Sequence, residues 1–377
     1  MEMVELKPKS WNVLLPIAVL CAIFYPLYFT YLIDYESAHP RCTAFLFLFV
    51  SYTAIFFLMS DNGLHRARLF LTSTIAAALG AMLLPSMPSY FDARCYVLVV
   101  IVIYAIFCFH YTWHQANSIR VSYKDYFETL WNVTIVLIFA QVFFGLAWGI
   151  YFLLAAIFNL VGIEFFQTTL VHNTWFVPLL SPFFAVTGFY LAFQMKQAVS
   201  VFRFICLLIS KWLFPALFVV MVLTLFACVI ALFQPNFSQL PIASEAGIDL
   251  IEVLCVFAVI LYNNVYQTGA EVNQLPRWYQ RSFDVFPALL FALTVFLSVR
   301  FMFVTHMFTP QFAFTLNDMV GDAAINVLLI CYSVGYLWGT YTQRTHWLSR
   351  VGTANVAVAW IWIILVVLLT NPIAYHF

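Results

Sequence analysis

Asp249, Glu252, Arg300, Asp318 and Asp322 lie inside or at the rim of long apolar stretches. A charge at the centre of a bilayer costs about 2.5–3.5 kcal/mol on insertion scales, so such groups are kept for function or for pairing. Asp249 and Glu252 are spaced i, i+3, and Asp318 and Asp322 i, i+4, so each pair shares one helix face. Arg300 falls about two-thirds along its own apolar stretch. If the three stretches pack together, Arg300, Glu252 and Asp322 meet. Their chemistry is that of a polar cavity binding a cation or small polar solute. The plainer reading is an ion pair holding three helices, with the outer acids solvated or seated at helix N-termini.

Other chemistry is thinner. His172, His306 and Glu164 are metal-ligating types, but no ligand spacing joins them on one helix, so no metal is assigned. His110 and His114 form a His-x-x-x-His beside Tyr111 and Trp113, which reads better as an aromatic interfacial belt. Six of the eight cysteines lie within apolar stretches and act as small apolar residues. Cys42 and Cys95 fall at the outer ends of two stretches and would form a disulfide if those ends touch. Gln141, Asn263, Asn264 and Asn326 read as interhelical hydrogen-bonding groups. The chain has no Walker A motif, Gly-x-Gly-x-x-Gly, Gly-x-Ser-x-Gly or His-Glu-x-x-His. No catalytic constellation or cofactor is read.

The elements that carry these residues follow from composition. Of 377 residues, 64% are apolar and 8% charged. A soluble domain is about 25% charged. Soluble, disordered and disulfide-scaffold classes are excluded, and a net charge of zero gives no sign of nucleic-acid binding. The expected fold is an all-α polytopic transmembrane bundle forming one membrane domain. About 11 spans are read, near 11–33, 43–59, 69–91, 96–113, 130–161, 175–195, 204–234, 247–266, 285–306, 319–341 and 352–372. The apolar runs are continuous rather than alternating, which argues against a β-barrel. Residues 120–131 space Tyr123, Tyr126, Phe127 and Leu130 on one face, predicting an interfacial amphipathic helix that runs into the fifth span. Prolines at 85, 88, 178, 182, 215 and 287 mark spans where broken helices would build a substrate site, although proline is also ordinary in membrane helices.

With the N-terminus cytoplasmic, 13 Lys and Arg face inward and only Arg41 and Arg94 lie in outer segments. Eleven spans then put the C-terminus outside. The acids divide as 7 inside and 9 outside. The neutral total is therefore a cancellation: about +6 within, and about −6 without when Arg300 is counted there. The outer acidity is not required by the positive-inside rule, which weighs Asp and Glu little.

The segment Tyr123–Gln167, YKDYFETLWNVTIVLIFAQVFFGLAWGIYFLLAAIFNLVGIEFFQ, carries a Tyr/Phe-rich entry and an aromatic-Trp helix. It exits through Ile157-Phe158-Asn159-Leu160-Val161-Gly162-Ile163-Glu164-Phe165-Phe166. It resembles the central signature of a bacterial inner-membrane family, domain of unknown function forty-one fifty-three, with Ile157 in place of a Leu. Leu275-Pro276-Arg277, Arg300 with Thr309-Pro310, and Gly335-Tyr336-Leu337 are similar to later family segments. The resemblance spans roughly residues 100–372. It implies a multi-pass protein of the bacterial inner membrane and brings no reaction.

Three functions stay open, in this order. The first is a permease or channel-like protein for a small polar or ionic solute, with an outward-facing acidic cavity. The second is a non-catalytic scaffold or accessory subunit, implying an envelope-complex partner or a second copy of the chain. The third is a membrane-embedded enzyme acting on lipid or envelope substrates through outer carboxylates. The lipid bilayer is a partner in all three.

Overall fold

A computed structural model describes residues 11–32, 40–59, 66–83, 93–116, 118, 121–160, 163, 165–166, 175–234, 245–267, 272–304, 320–342 and 347–369. Among them there is no strand, and eleven α-helices carry the chain. These are α1 Trp11–Leu27, α2 Pro40–Met59, α3 Arg66–Leu83, α4 Ala93–Ala116, α5 Tyr123–Leu160 and α6 Phe176–Gln194. Then come α7 Lys196–Leu232, α8 Glu245–Tyr266, α9 Arg277–Val304, α10 Val320–Thr342 and α11 Trp347–Leu369. Among the described residues, six helical segments are long and apolar enough to cross a membrane: Trp11–Leu32, Tyr123–Leu160, Phe176–Gln194, Gln197–Leu232, Ala246–Tyr266 and Arg277–Arg300. Hydrocarbon offers backbone groups no partner, so a spanning segment must close its hydrogen bonds within itself, as a helix does.

The chain divides into two compact units, residues 1–86 with 103–203, and residues 87–102 with 204–377. In the first unit α1 packs on α6 and α2, α2 on α3, and α5 on α6. Trp11 stacks on Tyr190 at 5.0 Å and Phe56 on Phe107 at 4.9 Å. In the second, α9 packs on α8 and α10, α8 on α10, and α10 on α11. Its core is aromatic: Tyr262 stacks on Phe283 at 4.0 Å and on Phe286 at 4.5 Å, with Phe214 beside all three. Each of those four rings is essentially inaccessible.

The start of α5 departs from the expected interfacial helix. Ser122 caps it: Ser122 Oγ accepts from the Asp125 amide at 3.2 Å and donates to Asp125 Oδ2 at 2.7 Å. The helix then runs unbroken for 38 residues, about 57 Å. Its apolar face turns into the protein, with Tyr126 and Phe127 buried and Tyr126 lying 4.5 Å from Phe109 of α4. An amphipathic pattern specifies an apolar partner for one face, and here that partner is a neighbouring helix.

Among the described residues, three of these prolines sit inside unbroken helices. Pro182, Pro215 and Pro287 lie inside α6, α7 and α9, which continue through them. Pro85 and Pro88 lie outside the described residues. A proline lacks the N–H that would meet the carbonyl four residues earlier. For Pro215 that carbonyl is Lys211, and the buried Tyr279 of α9 donates its hydroxyl to it at 2.9 Å. Tyr279→Phe removes this substitute donor. We expect a loss of about 1 kcal/mol, measured as a lower thermal midpoint, and recovery of that loss on adding Pro215→Ala, which restores the helical donor.

Small residues set the closest helix approaches. Gly335 and Gly339 of α10 face Ala354 and Val351 of α11, where an added Cβ would sit 3.1 and 3.3 Å from the nearest atoms. At Gly188 of α6 an added Cβ would lie 2.7 Å from the Ala140 carbonyl oxygen of α5.

Candidate functional site

The interior of the second unit holds a chain of polar groups on α8, α9 and α10. Glu252 of α8 is 3% exposed. The Asn326 side-chain amide of α10 donates to Glu252 Oε1 at 2.8 Å. On α9, Ser298 Oγ lies 3.5 Å from Asn326 Oδ1 and 2.7 Å from the Thr294 carbonyl. One turn along, Thr294 Oγ1 lies 3.2 Å from Ser333 Oγ of α10 and 2.9 Å from the Phe291 carbonyl. Ser333 Oγ in turn donates to the Ile330 carbonyl at 2.9 Å. Each hydroxyl has one proton. Ser298 and Thr294 therefore each choose between a carbonyl of their own helix and the next group in the chain. The result is a buried file of groups whose hydrogen bonds can be rotated without moving a helix.

Further along the same helices a second network closes on itself. Asn263 Nδ2 of α8 donates to the Tyr336 hydroxyl at 2.8 Å, which donates to Asn355 Oδ1 of α11 at 2.7 Å. Asn355 Nδ2 then donates to Asn263 Oδ1 at 2.7 Å. All three bonds run in the same sense around the ring, so each polarises the next. Asn264 Nδ2 donates to Ser210 Oγ of α7 at 3.0 Å. Glu252 and Asn263 are 11 residues apart on α8, about 16 Å along the helix.

Of the residues singled out in the sequence, Asp249 is half-buried one turn before Glu252. Arg300 is half-buried on α9, two residues beyond Ser298. The described hydrogen bond of Glu252 goes to Asn326. Asp318 lies outside the described residues, as does the side chain of Asp322. His172, Glu164 and His306 lie outside them too. Cys42 is an exposed free thiol, and the side chain of Cys95 is not among those described. Among the described residues, no three of His, Cys, Asp and Glu converge as metal ligands.

The hydrogen-bonding roles read for Asn263, Asn264 and Asn326 are met, and each has its partner on another helix. Gln141 instead lines a cavity of about 250 Å³ in the first unit, together with Tyr25, Phe144, Ser181, Pro182 and Phe189. Among the described residues, its wall carries no charged side chain.

Sequence reading missed a second buried polar cluster. Glu128 and Arg203 read as inside-facing flank residues and Asn132 as part of the fifth span, yet Glu128 is 4% and Arg203 9% exposed. Arg203 Nη1 donates to Asn132 Oδ1 at 3.5 Å, and Glu128 is near enough to attract it electrostatically. His110 also leaves the expected belt. It is buried, its Nδ1 lies 2.7 Å from Thr72 Oγ1, and its ring stacks on Phe56 at 5.0 Å. A run of aromatics marks a membrane rim and a helix core alike, so the pattern could not separate the two.

No family model, curated protein or solved structure matches this chain.

Proposed function

We propose that the chain is a bacterial inner-membrane permease or channel-like protein for a small cation or polar solute. In this reading it crosses the bilayer eleven times, with the N-terminus in the cytoplasm and the C-terminus outside. The eleven helices and the 13-to-2 bias of Lys and Arg support that arrangement. The resemblance of residues 123–167 to the forty-one fifty-three family supports the bacterial membrane. One observation carries the function: the buried file from Glu252 through Asn326, Ser298 and Thr294 to Ser333. A packed apolar interface would be as stable without these groups. A carboxylate followed inward by switchable hydroxyls is what a proton, or a cation shedding its water, requires. Arg300, Asp249, Asp318 and Asp322 are then assigned to the outer, acidic entrance.

The test is water access. Ser298→Cys and Thr294→Cys, each in the full chain in sealed proteoliposomes, are treated with a membrane-impermeant thiol reagent from either side. A permeation path makes at least Ser298→Cys reactive from the outer side, above the background of unaltered protein. Both thiols inert from both sides would overturn the proposal.

The ring of Asn263, Tyr336 and Asn355 favours a second reading, that of a scaffold. Its three side-chain bonds close on one another and tie α8, α10 and α11 together.

A further inference from the structure

The second unit carries a groove between α7 and α9 that the polar file does not touch. It has a volume of about 490 Å³. Pro215, Phe218 and Val219 of α7 form one wall, and Trp278, Arg281 and Val285 of α9 the other. The spacing explains the two walls. Residues 215, 218 and 219 share one face of α7, and 278, 281 and 285 share one face of α9. Pro215 brings no amide hydrogen to this point, and Tyr279 covers the exposed carbonyl of Lys211.

The ends of the groove differ sharply. Towards the start of α9, Arg277 and Arg281 are exposed, and Lys211 is exposed one turn before Pro215. Trp278 is 62% and Trp212 78% exposed at the same end. Ser282 also lines the groove. Away from this end the walls are Phe218, Val219 and Val285. The α7 helix has no acid, and the only acid of α9 is Asp284. Among the described residues of these two helices, three cations stand against one acid at this rim.

We infer that this groove binds an anionic phospholipid. Its phosphate would sit at Arg281, with Lys211 and Arg277 completing the positive rim. One acyl chain would lie along Phe218, Val219 and Val285. Exposed tryptophans at the level of the cations are the usual companions of a headgroup layer. Basic pockets between transmembrane helices recognise anionic headgroups in this way. A zwitterionic lipid brings a cationic group to the same positive rim and fits worse. A soluble phosphate ester satisfies the rim and leaves the apolar walls unfilled.

The test is lipid binding to the full chain in mild detergent, read by native mass spectrometry. Phosphatidylglycerol, phosphatidylcholine and glycerol phosphate are added separately. Phosphatidylglycerol is expected to bind at least tenfold tighter than phosphatidylcholine, and glycerol phosphate not to displace it. Arg281→Ala should weaken phosphatidylglycerol about fivefold, the weight of one cation beside an anionic headgroup, and leave phosphatidylcholine unchanged. Val219→Trp should fill the groove and abolish both. Arg281 and Val219 are exposed, so an unchanged thermal midpoint is expected and checks the fold. Equal binding of the two lipids, an Arg281→Ala variant with unchanged preference, or displacement by glycerol phosphate would each overturn the assignment.

Discussion

Gly188→Leu is expected to destabilise the first unit by about 3 kcal/mol. The Ala140 carbonyl oxygen stands 2.7 Å from where the first side-chain carbon would go, and the Ala140 Cα stands at 3.2 Å. Both are backbone atoms of α5, so no side chain can turn aside. Either α6 moves off α5 or the variant fails to pack. Overpacked cores typically lose about 1–3 kcal/mol, and a backbone clash belongs at the top of that range. Gly145→Ala on α5 is the control, because a Cβ there meets nothing within 4 Å. That variant should be neutral or stabilised by up to about 1 kcal/mol, the helix preference for Ala over Gly. Thermal unfolding and size-exclusion profiles of the two variants read the difference. A Gly188→Leu protein as stable as the Gly145→Ala protein would show that α5 and α6 do not cross this closely.

Glu252 separates permeation from support. Glu252→Gln keeps an oxygen for the Asn326 amide and removes the charge. Stability should stay within about 1 kcal/mol of the parent, because the hydrogen bond survives. Proton or alkali-cation flux into proteoliposomes, followed with an internal pH-sensitive dye, should fall at least tenfold. Glu252→Leu removes the acceptor as well. It leaves the Asn326 amide buried without its present partner, at a cost of about 1–3 kcal/mol, partly offset by the apolar surface that leucine buries. A Glu252→Gln protein with unchanged flux would take the carboxylate out of any path. Parent vesicles no leakier than protein-free ones would leave the scaffold reading in its place.

What could be read before the structure, and what could not, follows from the range of the forces involved. Each of the eleven apolar stretches overlaps one of the eleven described α-helices. Composition sufficed for that, since hydrocarbon leaves the backbone little alternative. The hydrogen-bonding duty of Asn263, Asn264 and Asn326 was equally legible, because a lone amide in an apolar run needs a partner wherever one is offered.

Who the partner is was not legible. Asn326 meets Glu252 74 residues away, and Asn263 meets Asn355 92 residues away. Arg203 of α7 turns into the protein towards Asn132. Periodicity along one chain tells which face of a helix is apolar. It does not tell which helix that face meets, or at what height. The start of α5 has the pattern of a surface helix and is buried because α4 covers it. Gly145 and Gly188 look alike in sequence, yet only Gly188 is met by another backbone. The sequence by itself determined a helical, membrane-suited chain. The tertiary structure alone decided which polar groups are joined, since pairing depends on contacts tens of residues apart that no local pattern encodes.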